Sequence, residues 1–170
     1  MQRVLVIGSG GAGKSTLAAR IAARAGLSVI HLDSLYWRAG WVETPAEEWT
    51  RIVTELTARP AWVMDGNYGG TLDLRLTACD MVIFLDVPRL RCLTRVIWRW
   101  LRYHGRSRPN MAAGCEERLD WEFVKWIWSY PSRRRPAVLA KLATLGKPVA
   151  ILRSTADVER FVAALDGGRA

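Results

Sequence analysis

Metal-cage and redox chemistry have little to work with in this chain. Cys79, Cys92 and Cys115 stand far apart in 170 residues, and His31 and His104 are the only histidines. No cysteine pair has ligand or redox spacing, so the thiols read as packing residues and a zinc site is not expected. Long apolar runs are missing too. MQRVLVIGSG reaches glycine too soon for a secretory signal core, and no stretch approaches the roughly 20 apolar residues of a membrane span. A soluble, cytoplasmic protein without membrane partners is expected. No internal repeat and no Gly/Ser-rich linker divides the chain, which has the size of one domain, residues 1–170.

What is present is positive charge in one place. The 25 Lys and Arg against 16 Asp and Glu leave a net +9. Residues 89–136 hold twelve of those cations and four of the anions, a local excess of +8. Anion binding is therefore expected in that third of the chain.

Five short apolar runs alternate with helical patterns. They are Arg3–Ile7, Ser28–Leu32, Ala61–Met64, Asp80–Val87 and Pro148–Leu152. Alternation of this kind implies a parallel sheet with crossover helices, an α/β three-layer fold. Lys14–Ala25 is a helix closed by Gly26, and Thr44-Pro45-Ala46-Glu47 reads as a capping box opening a helix to about Ala58. Further helices follow Pro88 and Ser154.

Gly8-x-x-x-x-Gly13-Lys14-Ser15 lies between the first strand and the first helix, where a phosphate-binding loop belongs. Glycines let successive backbone N–H groups curl around a phosphate, and the helix N-terminus adds its positive end. Lys14 reaches the β- and γ-phosphates of a nucleoside triphosphate, and the Ser15 hydroxyl joins a Mg²⁺ shell. Gly8-x-Gly10-x-x-Gly13 also matches a dinucleotide fingerprint, but that reading leaves Lys14-Ser15 unexplained. No Asn-Lys-x-Asp occurs, which disfavours a switch GTPase.

In open parallel sheets ligands bind beyond the carboxyl ends of strands. Asp33, Asp65 and Asp86 end the second, third and fourth strands, so three carboxylates are expected around the phosphate loop. Asp33 is placed to orient or deprotonate an acceptor hydroxyl, or else to cap a helical turn at Ser34. Asp65 and its glycine-bearing loop could contact the acceptor, or simply form a tight turn. Asp86 could hold a Mg²⁺-bound water, or serve hydrogen bonding before Pro88.

Arg91, Arg95, Arg99, Arg102 and Arg106 follow at steps of three and four, covering one helical face about 80° wide at roughly 100° per residue. Leu90, Leu93, Ile97 and Leu101 lie opposite and are expected to pack on the sheet. The poor helix former around His104–Pro109 suggests a mobile cover, about residues 103–118, whose arginines neutralise a phosphoryl group in flight. The spacing of Trp121, Phe123, Val124 and Trp128 reads as helical core. A nucleic-acid surface, with Trp98 stacking on bases, is the competing interpretation.

The phosphate loop followed by His31-Leu32-Asp33, Tyr36-Trp37, Gly40-Trp41, Asp65-Gly66-Asn67-Tyr68 and Asp86-Val87-Pro88-Arg89 resembles a bacterial P-loop family known as DNA topology modulation (FlaR-like) proteins. That family is similar to adenylate kinase and to shikimate and gluconate kinases. The resemblance implies a nucleoside-monophosphate-kinase type of P-loop fold, five parallel strands with the loop-bearing strand central, and Mg²⁺-ATP as donor. It implies that Gly8, Ser9, Gly10, Gly11, Ala12, Gly13, Lys14, Ser15 and Thr16 hold the triphosphate. Lid residues Arg102 and Arg106 would be catalytic beside Lys14 and Asp33. Arg108, in the same lid, and Arg153, after the fifth strand, would contact the nucleotide. Asp33, Asp65, Asn67, Tyr68 and Arg75 would form the acceptor side, with Ser15 and Asp86 organising the metal. Adenylate kinases carry the arginine that grips their monophosphate closer behind the third strand than Arg75 stands here, which weighs against a monophosphate acceptor. The expectation is a kinase, monomeric or weakly dimeric, acting on a small hydroxyl- or phosphate-bearing acceptor such as a nucleoside or nucleotide. The alternative is a nucleic-acid-associated ATPase affecting DNA topology.

Overall fold

Alternate residues of the central strands feed two separate cores, and that division builds the layers. In β1 (Arg3–Gly8), Leu5 and Ile7 point to one face while Val4 and Val6 point to the other. In β6 (Met81–Leu85), Val82 and Phe84 join the first core, and Ile83 and Leu85 the second. Side chains alternate across a strand, so a strand buried on both faces needs an apolar residue at every position. The computed structural model describes residues 2–107 and 111–167.

The sheet order is β2 (Val29–His31), β5 (Trp62–Asp65), β1, β6, β7 (Val149–Leu152), with every neighbouring pair parallel. This is the expected three-layer α/β arrangement, with the loop-bearing strand in the middle. Helix α1 (Lys14–Ala25) packs Leu17 and Ile21 into the second core. It ends where Gly26 turns left-handed at φ 68° and returns its N–H to the Ala22 carbonyl. Helix α8 (Thr155–Gly167) adds Val162 to the same face. On the other face α3 (Ala46–Thr57) contributes Trp49, Val53 and Leu56, α4 (Leu72–Ala78) contributes Leu72 and Leu76, and α7 (Arg135–Ala143) contributes Leu142.

Three expectations change. The capping box does not form: Pro45 caps α3 without a side-chain bond, and the Thr44 hydroxyl donates to the Tyr36 carbonyl at 2.6 Å. That bond secures a helix of which the sequence suggested no more than a turn at Ser34, and a strand pair it did not suggest. They are α2 (Leu32–Tyr36) and the antiparallel pair β3 (Trp37–Arg38) and β4 (Val42–Glu43).

Helix α5 (Arg89–Tyr103) is rotated by roughly a quarter turn from its expected register. Leu90 and Leu101 are 64% and 58% exposed, while Cys92 and Val96 are buried. A Cβ on Gly11 would lie 2.3 Å from the Cys92 carbonyl, so the α5 backbone itself sits against the phosphate loop. Only small residues on α5 permit that approach; Leu90, Ile97 and Leu101 are turned outward, and Leu93 alone of the expected set packs, half-buried, against the second core.

In α6 (Trp121–Arg133), Trp121 and Trp128 are exposed rather than core, and Ile127 and Tyr130 are the residues buried. Trp128 instead carries the Arg89 guanidinium 4.0 Å from its ring centroid. Arg108 and part of the expected cover lie outside the described residues.

Candidate functional site

Beyond the carboxyl ends of β1 and β6 lies a cleft of about 1360 Å³ between the phosphate loop, α5, α6 and the β3–β4 pair. Its floor is residues 8–16. Gly8, Gly11 and Gly13 take φ of 146°, 74° and 99°, a left-handed run that turns peptide groups inward. Gly10, Gly11, Ala12, Gly13, Lys14, Ser15 and Thr16 line the cleft, whereas Gly8 and Ser9 form its support. The Gly8 N–H donates to Asn67 Oδ1 at 3.0 Å, which ties the loop to the segment after β5.

Lys14 Nζ donates to the Gly8 and Ser9 carbonyls at 3.0 and 2.9 Å. Burial lowers its pKa, opposed by the charges of Asp33 and Asp65. A half-desolvated ammonium poised over a ring of amides attracts a polyanion strongly.

Strand register sets the next layer. His31 and Val6 are both register partners of Asp65, so two strand tips meet beside the loop. Asp65 is buried, accepts from the Ser15 hydroxyl at 2.6 Å and pairs with His31 Nδ1 at 2.7 Å. The carboxylate holds the imidazole pKa above its ordinary value. Asp33, one residue into α2, accepts from the Tyr68 hydroxyl at 2.7 Å. Burial and then the Asp33 charge raise the Tyr68 pKa, so that phenol stays a donor.

Asp33 and Asp65 therefore gather around Lys14, but Asp86 does not. It receives two hydrogen bonds from Arg135, at 2.6 and 2.8 Å, and lies 3.5 Å from Arg153. The hydroxyl–carboxylate pair beside the loop is Ser15 with Asp65.

Arg75 is another displaced expectation. Fully buried, it donates to the carbonyls of Thr71, Gly66, Asn67 and Tyr68 at 2.7–3.2 Å and does not line the cleft. Asn67 and Tyr68 do line it.

Arg102 and Arg106 are exposed and outside the cleft lining, and Arg153 is turned to Asp86. The arginines that face the loop come earlier in α5. Arg95 donates to the Ala12 carbonyl at 2.9 Å, Arg99 is held by Glu117 at 2.7 Å, and Arg91 joins them on the cleft wall. Arg95 and Arg99 belong to the basic stripe visible in the sequence. Glu117, which orients Arg99, carried no motif to mark it; His31, which pairs with Asp65, stands in the His31-Leu32-Asp33 segment of the family resemblance but has no role assigned there.

Oxygen donors from one hydroxyl and nearby carboxylates suit Mg²⁺, which keeps most of its shell for water and phosphate. Among the described residues no group of three or more His, Cys, Asp and Glu forms a metal cage. No helix among them is long and apolar enough to cross a membrane.

No family model matches this chain. An uncharacterized protein of Bacillus subtilis strain 168, YqaC, is 26% identical over 132 residues, covering 76% of this chain and 72% of its own length. Among solved structures, the shikimate kinase of Acinetobacter baumannii in complex with shikimate matches with a TM-score of 0.59 and 16% identity, over 99% of this chain and 95% of that one. An unliganded sugar kinase from Janibacter sp. HTCC2649 gives 0.53 and 18%, over 98% and 95%. The deoxyadenosine kinase of M. mycoides with bound dCTP gives 0.51 and 12%, over 97% and 99%. The chain has the fold of P-loop kinases of the nucleoside-monophosphate-kinase type.

Proposed function

We propose that this chain is an ATP-dependent kinase that transfers the γ-phosphoryl group to a hydroxyl of a small acceptor. The observation that carries the reading is the meeting, in one cleft, of a glycine loop with Lys14 and a hydrogen-bonded Asp33–Tyr68 pair. The loop amides and Lys14 hold the β- and γ-phosphates, while Arg95 and Arg99 neutralise the oxygens of the moving group. Asp33 receives the acceptor hydroxyl proton through the oxygen that Tyr68 leaves open. The acceptor oxygen bonds to the γ-phosphorus as the bond to the β–γ bridging oxygen breaks, releasing ADP.

Ser15 and, through water, Asp65 would hold Mg²⁺, in place of the Ser15–Asp86 pair expected from sequence. Bound there, Mg²⁺ would offset the negative charge of the phosphates. Ser154 and Thr155 at the cleft edge are the candidates for the adenine side.

The test is acceptor-dependent ADP release from Mg²⁺-ATP over a panel of nucleosides, nucleotides, sugars and hydroxy acids. Lys14→Ala should lower turnover at least about 100-fold with the fold intact by circular dichroism. Equal turnover in the variant sinks the assignment.

A DNA-stimulated ATPase is the second reading, favoured by Trp98, which is 71% exposed beside Arg102 on α5. ADP release that rises with DNA and with no small acceptor would establish it.

A further inference from the structure

The cations of the cleft are confined to one part of its lining, where Glu117, Asp120, Glu122 and Glu159 stand among them, and the division runs along the chain. The cations come from α1, from α5 and from residues beyond it, among them Lys14, Arg91, Arg95 and Arg99. The lining supplied by residues 31–72 contains no lysine or arginine. It presents Asp33 and Glu43 as carboxylates, and Trp37, Trp41 and Tyr68 as aromatic rings. Arg75 is spent on backbone carbonyls beneath this wall.

The rings form a packed group. Tyr36 lies 5.1 Å from Trp37 and 4.5 Å from Tyr68, and Trp37 lies 5.5 Å from Trp41 by ring centroids. Trp41 is held there at some expense. Its φ of 63° is left-handed, a conformation that bulky residues seldom adopt. Its indole Nε1–H donates to the Glu116 carbonyl at 2.9 Å, anchoring the β3–β4 tip to the opposite rim. Arg118 lies at that rim, 5.8 Å from the Trp41 ring centroid.

From this wall we infer the acceptor class: an uncharged ring compound bearing hydroxyls, a nucleoside or a free sugar or cyclitol, and not a phosphate ester or a hydroxycarboxylate. The inference rests on the kinase reading above and narrows it. Carboxylates accept from neutral hydroxyls, and flat rings stack on a base or on the C–H face of a sugar. An anionic acceptor would meet Asp33 and Glu43 on this wall, where like charges reject it.

Two measurements test it with the full chain. ADP release from Mg²⁺-ATP is followed with a neutral arm (ribo- and deoxyribonucleosides, hexoses, pentoses, inositol) and an anionic arm (nucleoside 5′-monophosphates, hexose phosphates, shikimate, gluconate). Binding of every compound is followed separately by tryptophan fluorescence without nucleotide. A neutral compound should raise ADP release at least about tenfold above the best anionic one, and nucleoside against sugar preference identifies which neutral ring is used. For that compound, Trp37→Ala should raise KM about tenfold with little change in kcat, and Trp37→Phe should restore most of it. Asp33→Asn should instead lower kcat about 100-fold or more. An anionic compound turned over best overturns the acceptor class and leaves the kinase reading standing. If nothing is phosphorylated, neutral-ring binding lost in Trp37→Ala upholds the wall assignment and removes the kinase. Failure of every neutral ring both to bind and to react overturns the inference.

Discussion

Arg75 spends its whole guanidinium on four backbone carbonyls and so fixes the segment from Gly66 to Thr71 that carries Asn67 and Tyr68. Burial pushes its pKa down to about 10, still high enough to keep the charge at neutral pH. Sequence displays a positive charge near the acceptor side; it does not display which way the side chain turns, and here it turns beneath the loop. A planar fork with five donors can serve four carbonyls, and an ammonium with three donors cannot. Arg75→Lys should therefore destabilise the fold by roughly 2–4 kcal/mol. That corresponds to a fall in melting temperature of about 5–15 °C for a chain of this size. Differential scanning calorimetry checks it. Acceptor preference among the molecules still folded should stay the same, and a changed preference would put Arg75 back in the binding site. Lys14 is the contrasting residue: it donates to only two carbonyls, Gly8 and Ser9, and lines the cleft.

Between elements, the tightest constraint is the seating of α5 and α6 on the phosphate loop. A Cβ at Gly10 would lie 2.5 Å from the Phe123 ring, and one at Gly11 would lie 2.3 Å from the Cys92 carbonyl. The first obstacle is a side chain and the second is backbone, so the two sites should respond differently. Gly10→Ala alone should cost about 1–3 kcal/mol through overpacking. Adding Phe123→Leu should recover much of that loss. Gly11→Ala also forces a residue with a side chain to φ 74°, and no trimming of a side chain should rescue it. Thermal melts of the singles and the double, with ATP titrations on each, read both outcomes. These contacts also mark where sequence stops being legible. Both-face burial made β1, β5 and β6 visible as apolar runs, the half-buried edge strands β2 and β7 keep short apolar runs of their own, and the glycine spacing made the loop visible. Pairs of two-residue strands carry no periodic signal, which hid β3–β4. The α5 register misled because arginines line the groove over the loop while Leu90, Ile97 and Leu101 face outward. His31 and Glu117 act through partners distant in the chain, Asp65 and Arg99, and only the folded geometry joins them.

Across the whole molecule the +9 charge is not simply a displayed surface, because Arg91, Arg95 and Arg99 are turned into the cleft. Few phosphates of a DNA backbone can then be contacted at once. Duplex binding should be weak, with a shallow salt slope of about two or three counterions rather than six or more, as fluorescence anisotropy across salt concentrations would measure. Charge has a second, structural use at Asp86. That carboxylate joins the end of β6 to the start of α7 through Arg135 and to the segment after β7 through Arg153. The Arg135 hydrogen bonds, ahead of the weaker pull of Arg153, hold the Asp86 pKa below the ordinary value. A group whose pKa is lower folded than unfolded adds stability that is complete above the unfolded value, about 4, and disappears as pH falls through the folded one. Arg135 is partly exposed, so solvent screening keeps the contribution to about 1–2 kcal/mol. Asp86→Asn should accordingly melt about 2–8 °C below the parent at pH 7. As pH falls below about 4, that gap should narrow and then close, because the parent carboxylate becomes neutral too. Melting curves from pH 7 to pH 2.5 distinguish this from a packing defect, which would leave the gap constant. A metal-binding role for Asp86 would instead leave the metal-free melting temperature unchanged and abolish stabilisation by Mg²⁺-ATP.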